Sequence, residues 1–114
     1  MILANIRMKI SPQKRDEALR ILRSTAEGNR VLPGCLSCRI YEDFQEDNMI
    51  MFEESWRSEE ELEQHLRSEE YHKVLLLMEM ALQPPEVLFN RVLSSSGIET
   101  IEKARIPTGR AKRP

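Results

Sequence analysis

Two histidines are the side chains best suited to proton transfer in this chain of 114 residues. An imidazole gains and loses a proton near neutral pH, so it can act as a general base toward an acidic hydroxyl group. His65 follows Leu62 by three positions, which predicts a partly inward orientation on a helix, and His72 comes directly after Tyr71. A hydrogen-bonded, partly exposed helix histidine is the commoner case. The sequence does not decide which of the two, if either, is a base.

Cys35 and Cys38 form a Cys-x-x-Cys pair. A redox pair requires its first cysteine at the N-terminus of a helix, but this pair enters a predicted strand. A spacing of three in a regular strand puts the two thiols on opposite faces. A zinc site would require further ligands nearby, and the histidines are far along the chain. We therefore expect structural cysteines.

Motifs for cofactors and metals are missing from the sequence. There is no glycine-rich phosphate loop, no nucleophile elbow, and no flavin or nicotinamide fingerprint. The acidic cluster from Glu59 to Glu63 is typical of the start of a helix, where the helix dipole favours negative charge. We expect no cofactor and no metal.

The elements that position these residues follow from the periodicity of the apolar side chains. Residues 2–10 alternate as a strand, and Ser11-Pro12 predicts the N-cap and first turn of a helix. Two strands over 35–43 and 49–57 then form a hairpin. Ser58 and Glu61 predict a capping box for a second helix, which restarts near Ser68 and ends at Pro84. A strand over 86–93 completes the order β-α-β-β-α-β, the ferredoxin-like α+β arrangement of an antiparallel sheet with two helices on one face.

Composition and charge limit the partners of the chain. It is 40% hydrophobic and 32% charged, with no apolar run long enough to cross a membrane and no signal peptide. Five of the 17 basic residues lie within 103–114, which leaves 12 against 19 acidic residues, a net charge of −7, for the rest. We predict a single domain over 1–104, a short basic disordered tail over 105–114, no binding to nucleic acid or membrane, and a cytoplasmic location.

Both faces of the predicted sheet carry apolar side chains. The third strand has Met49 and Met51 on one side and Ile50, Phe52 and Trp56 on the other. Two helices cover only one face, so the other face needs a second cover. The simplest cover is a second copy of the chain related by a two-fold axis, which predicts a homodimer.

Three segments in order resemble the antibiotic-biosynthesis monooxygenase family. These are Pro33-Gly34-Cys35 before the second strand, Glu54-Ser55-Trp56 at the end of the third strand, and the histidine-bearing helix that follows it. The resemblance covers residues 1–93. It implies a dimeric α+β barrel, and some members of the family oxidise phenols or quinols with molecular oxygen and without metal or flavin.

The resemblance also implies a set of site residues. An asparagine in the region of Asn5 holds substrate or oxygen in family members, and the counterpart of Trp56 lines the substrate cavity, although Trp56 could also simply fill the core. The candidate catalytic residues are Asn5, Trp56, His65 and His72. The candidate substrate-binding residues are Phe52, Arg39, Tyr41 and Tyr71.

The resulting hypothesis is a cofactor-independent oxygenase of a small aromatic quinol or phenol, with molecular oxygen as the second substrate. It requires Asn5 and Trp56 to face one cavity, with His65 or His72 in reach. Two alternatives stay open. One is a dimeric small-molecule binding module without turnover, and the other is an isomerase of a small carbonyl or sugar-like substrate. Haem degradation is not expected, because Leu75 occupies the position of the iron ligand in that branch of the family.

Overall fold

The computed structural model describes residues 1–107. Its elements are β1 (Ile2–Lys9), α1 (Arg15–Asn29), β2 (Cys35–Glu42), β3 (Met49–Trp56), α2 (Glu59–Leu66), α3 (His72–Glu79), β4 (Glu86–Arg91) and α4 (Ile98–Arg105). The four strands form one antiparallel sheet in the order β2-β3-β1-β4. The predicted ferredoxin-like α+β fold is confirmed, with the second helix divided into α2 and α3 and the terminal helix α4 added.

The register of the strands assigns each side chain to one of two faces. Ile2 is opposite Trp56 and Ile6 is opposite Phe52, whereas Asn5 is opposite Glu53. Because successive side chains alternate, the even-numbered residues of β1 and β3 face the helices. We call the opposite side, which none of the helices in residues 1–107 covers, the open face of the sheet.

The core lies between the sheet and the helices. Its largest cluster contains Phe52 from β3, Leu22 from α1, and Val74 and Leu77 from α3, all fully buried. A smaller cluster of Ile2, Trp56 and Leu62 lies at the other end of the same face. The C-terminal ends of α1 and α2 lie close to the end of β3, and the candidate site is found there.

The two helix starts predicted from sequence differ in outcome. Ser58 caps α2 as expected, accepting a hydrogen bond from the Glu61 backbone N–H at 3.3 Å. Ser11 makes no side-chain capping bond, because a short 3-10 turn over Pro12–Lys14 precedes α1 and satisfies the chain through a backbone bond from Lys14 to Ser11.

The expectation that Cys35 and Cys38 lie on opposite faces is wrong. A β-bulge between Cys35 and Ser37 adds one residue to β2, so that Cys35 pairs with Trp56 and Cys38 with Glu54. Trp56 and Glu54 share the helix-facing side of β3, and both thiols therefore lie on that side. Both cysteines are free.

The C-terminal elements are exposed. Every residue of β4 and α4 is exposed, although β4 is fully paired with β1 along one edge. The predicted basic tail starts at Arg105, the last residue of α4, and its residues from 108 onward lie outside the part of the chain that the structure describes. Among the described residues, no helix is long and apolar enough to cross a membrane.

Candidate functional site

A cavity of about 490 Å³ lies between the end of α1, the loop that follows it, and α2. Cavities of this size suit small organic ligands. Trp56 from β3 and His65 from α2 contribute its aromatic wall. Its other lining residues are Ser24, Thr25, Gly28, Asn29, Val31, Leu32, Pro33, Gly34, Glu61, Gln64, Ser68 and Glu70.

Three aromatic rings are in contact here, and two of them, Trp56 and His65, line the cavity. The rings of Trp56 and His65 are stacked with their centroids 4.6 Å apart and 29° between their planes. The ring of Tyr71 meets His65 edge-on at 5.0 Å. All three residues are buried, so the His65 ring is fixed in position from two sides.

A buried acid lies directly beneath His65. Glu54 is 1% exposed, and its Oε2 atom is 2.8 Å from His65 Nε2. The same oxygen accepts a hydrogen bond of 2.6 Å from Asn29 Nδ2, and Asn29 also contacts Cys38 Sγ at 3.6 Å. A buried carboxylate is rare unless it is paired, and here Asn29 and His65 together supply its donors.

Local backbone bonds hold the elements that carry these groups. Asn29 is the last residue of α1, and its carbonyl accepts a bond from the Leu32 backbone N–H at 3.0 Å. The Ser68 hydroxyl and backbone N–H both donate to the His65 carbonyl, at 2.7 and 3.0 Å, where α2 ends. The two helix ends are thus fixed by turns rather than by long side-chain contacts.

The rim of the cavity carries an ion pair. Arg57 donates to both carboxylate oxygens of Glu61, and Ser58 donates to Glu61 Oε1 at 2.8 Å. These hydrogen bonds lower the pKa of Glu61 below its usual value, and the bond from Arg57 has the larger effect. The Gly34 carbonyl accepts a bond of 2.8 Å from the Arg57 backbone N–H, which joins the loop after α1 to the end of β3.

Two further titratable groups near His65, Tyr71 and Cys38, have pKa values raised above their ordinary range. Burial, with the charge of Glu54 second, raises the pKa of Tyr71. The same two causes, in the same order, raise the pKa of the Cys38 thiol to about 12. Glu54 therefore has no phenolate or thiolate beside it at neutral pH.

The structure brings together only part of the predicted site. Trp56 and His65 line one cavity, and Tyr71 lies against His65. Phe52 is fully buried in the main core, away from the cavity lining. His72 is exposed at the first turn of α3 and does not line the cavity. Arg39 and Tyr41 pair with Glu53 and Met51 and so lie on the open face.

The expectation that Asn5 and Trp56 share a cavity is wrong. Asn5 pairs with Glu53, and Trp56 pairs with Ile2, so the two side chains are on opposite faces of the sheet. Asn5 Oδ1 is buried on the open face, and no donor reaches it among residues 1–107. The Trp56 indole Nε1 is likewise buried without an acceptor in this part of the chain.

Sequence reasoning missed Glu54 and Asn29. Glu54 had a detectable signal, because it occupies the inward parity of β3 between Phe52 and Trp56, where an acid is unusual. Asn29 had none, since an asparagine at the end of a helix is common for reasons of backbone conformation alone. Across the described residues, no group of three or more His, Cys, Asp or Glu side chains is arranged to hold a metal ion.

Comparisons with known proteins agree with this architecture. A Synechocystis protein of uncharacterised function, sll1783, is 35% identical over 66 residues, which are 58% of this chain and 45% of that protein. The chain thus spans less than half of that relative.

Among solved structures, an antibiotic biosynthesis monooxygenase superposes with a TM-score of 0.73 at 23% identity, over 82% of this chain and 100% of that one. Rv0793 from Mycobacterium tuberculosis superposes with a TM-score of 0.75 at 22% identity, over 84% and 98% of the two chains. These likenesses show the shared fold. The model of the family "Antibiotic biosynthesis monooxygenase" matches residues 1–75, which include β1 through α2 and both aromatic residues of the cavity wall. The chain therefore belongs to the antibiotic biosynthesis monooxygenase family.

Proposed function

We propose that the protein is a cofactor-independent monooxygenase that binds a small aromatic quinol or phenol in the cavity beside Trp56 and His65. The observation that carries this proposal is the buried His65 ring at the cavity wall, stacked on Trp56 at 4.6 Å and bonded to Glu54 at 2.8 Å. An aromatic wall favours a flat ligand, and an imidazole favours one with an acidic hydroxyl group.

The proposed reaction begins with proton transfer from the bound hydroxyl group to His65. The resulting anion is electron-rich and passes one electron to molecular oxygen, after which the two radicals combine at a ring carbon. Loss of water then leaves one oxygen atom on the ring and forms the quinone, so that the substrate supplies all the electrons and both hydrogens of the water. The protein contributes orientation, exclusion of water and the proton acceptor.

The same proposal includes a homodimer in which the open faces of two copies pack together. The support is the apolar and polar mixture on that face, including Asn5 Oδ1, which has no donor among residues 1–107. The two free thiols fit a reducing compartment such as the cytoplasm.

Oxygen uptake tests the activity. Purified protein stripped of metals is incubated with a panel of phenols and quinols, and dissolved oxygen is recorded. We expect uptake with at least one of them, lowered about a hundredfold or more in His65→Gln, because general-base catalysis contributes roughly that factor. His72→Gln is the matched variant, and we expect it to retain uptake because His72 does not line the cavity.

Controls separate the proposal from its competitors. Labelled oxygen gas should place one labelled atom in the quinone, whereas an oxidase would release hydrogen peroxide, which catalase converts back to oxygen. Saturable binding of a ligand with no uptake above buffer would support a binding module. Rearrangement of a small carbonyl compound under nitrogen would support an isomerase. Equal losses in both histidine variants would argue against His65 as the base.

A further inference from the structure

The buried pair Glu54–His65 is the least expected arrangement in the fold. Both side chains are 2% exposed, and they come from different elements, β3 and α2. Removing a carboxylate from water is costly, and an apolar residue at this position would pack against Phe52 and Trp56 without that cost. The arrangement therefore calls for an explanation beyond packing.

The geometry of the pair fixes which ring nitrogen carries a proton. A carboxylate accepts hydrogen bonds and cannot donate them, so the His65 nitrogen that faces it, Nε2, must be the protonated one in the neutral ring. The lone pair is then on Nδ1, which has no hydrogen-bond partner among the described residues. Stacking by Trp56 and the edge contact of Tyr71 oppose rotation of the ring.

Asn29 completes the arrangement from the other side of the carboxylate. Its Nδ2 donates to the same Oε2 atom at 2.6 Å, which fixes the position of the oxygen that His65 contacts. Asn29 is uncharged, so it orients the carboxylate without cancelling its charge. The negative charge of Glu54 thus remains available to stabilise a positive charge on His65.

We infer that Glu54, held by Asn29, is the positioning residue of His65: it keeps the imidazole in the Nε2–H form, with Nδ1 free to accept a proton from a ligand hydroxyl in the cavity. Once the proton is transferred, the ring is an imidazolium beside a carboxylate, and the ligand is an anion. This inference rests on the proposed function for the identity of the proton donor, but not for the state of the ring.

Other ionisable groups near His65 are accounted for. On β2, Cys35 and Cys38 have pKa values raised mainly by burial, and Tyr71, before α3, likewise stays neutral. Two acids line the cavity. Glu61 is paired with Arg57, and Glu70 is paired with Lys73 at 4.0 Å. Glu54 is therefore the acid in direct contact with the ring in the described part of the chain.

Nitrogen-15 NMR of the histidine rings tests the inference on the intact protein without any substrate. The chain has two histidines, so two ring systems appear, and His72→Gln assigns them. We expect the ring of His65 at pH 7–8 to carry its single proton on Nε2, and the ring of exposed His72 serves as the reference. An Nδ1–H form would overturn the inference. A doubly protonated ring over this pH range would also overturn it, because that ring cannot accept a proton.

The variant Glu54→Gln tests the role of the charge. We expect the His65 ring to become a mixture of its two neutral tautomers, because the carboxylate that requires a proton on Nε2 is replaced by an amide that can also donate. Glu53→Gln is the matched control, since Glu53 is the next residue but lies on the open face beside Tyr41. An equal change in the tautomer of His65 in both variants would contradict the specific contact. If Glu54→Gln fails to fold, the wild-type tautomer alone still decides.

The outcomes separate this inference from the proposed function. If no phenol or quinol supports uptake but the wild-type ring is Nε2–H and responds to Glu54→Gln, the oxygenase proposal fails and the positioning role stands. If uptake occurs but the His65 ring carries its proton on Nδ1, the oxygenase proposal stands and the positioning role of Glu54 fails. Where uptake is found, we expect Glu54→Gln to lower kcat about tenfold or more and to change KM little.

Discussion

Cys38 illustrates how a single residue is controlled by the packing around it. Its Sγ lies on the helix-facing side of β2, in contact with the Asn29 amide. Burial, followed by the charge of Glu54, raises its pKa from an ordinary 9.0 to about 12. Since the thiolate is the reactive form, we expect Cys38 in Cys35→Ser to react with Ellman's reagent at pH 8 about a hundredfold or more slower than a free thiol.

The same variant in denaturant is the control, because an unfolded thiol should react at the ordinary rate. A fast native reaction would mean that the thiolate is stabilised, which contradicts the interpretation of Cys38 as a structural cysteine. The variant Cys38→Ser measures Cys35 in the same way. Burial also raises the pKa of Cys35, so we expect its native reaction to be slower than its reaction in denaturant.

At this scale, sequence reasoning succeeded where residue type alone was informative. The prediction was that Trp56 faces a cavity with His65 or His72 in reach, and the cavity includes Trp56 and His65 but not His72. Asn5 was wrongly assigned to the same pocket, because its face depends on the register of β1 against β3, which composition does not determine. Glu54 belongs to the Glu54-Ser55-Trp56 motif, but no role in the site could be predicted for it, because its partner Asn29 is 25 residues away in the chain.

The loop between α1 and β2 is the element that shapes the mouth of the cavity. Gly34 in this loop has no room for a side chain, because an added Cβ would lie 2.5 Å from Cδ and 2.6 Å from Cβ of Glu61. The carboxylate of Glu61 is held by Arg57 and Ser58. We expect Gly34→Ala to lower the free energy of unfolding by about 1–3 kcal/mol, the usual range for overpacking, as measured by urea denaturation.

Gly28 provides the matched control in the adjoining helix. It lies within the last turn of α1 and lines the same cavity, but an added Cβ would meet nothing within 4 Å. Alanine has the higher helix propensity, so we expect Gly28→Ala to raise the free energy of unfolding by up to about 1 kcal/mol. Destabilisation by both substitutions would indicate that the space around Gly28 is occupied in solution.

The order and type of the elements could be predicted from the periodicity of the apolar side chains, but the irregularities within the elements could not. The alternation in residues 2–9 and the capping by Ser58 were both confirmed. The bulge at the start of β2 was missed because one extra residue leaves the apolar pattern of a short strand nearly unchanged. That bulge turned Cys35 to the helix-facing side and overturned the expectation that the two thiols lie on opposite faces.

At the scale of the whole molecule, the open face is a side of the sheet that a single chain leaves uncovered. Its centre combines Leu88, which is 58% exposed, with Asn5 and Met51. Arg7 lies opposite Met51 on the inner strand β1 and is bonded to Asp43 at 2.8 Å and to Glu86 at 2.9 Å. Exposed apolar side chains mixed with polar and ion-paired groups are typical of a surface that packs against another protein surface.

A second copy of the chain is the partner that we expect on this face. Light scattering at micromolar concentration should give about twice the 13.3 kDa chain mass. Leu88→Glu should convert the dimer to a monomer, because two such charges would meet near the two-fold axis without compensation. Leu75→Glu is the control, since Leu75 is 43% exposed on α3, behind the sheet, and should leave the dimer intact. A wild-type monomer at this concentration would contradict the dimer. Loss of the dimer in Leu75→Glu alone would place the contact on the helices, and the unpartnered Asn5 Oδ1 would then require a different donor.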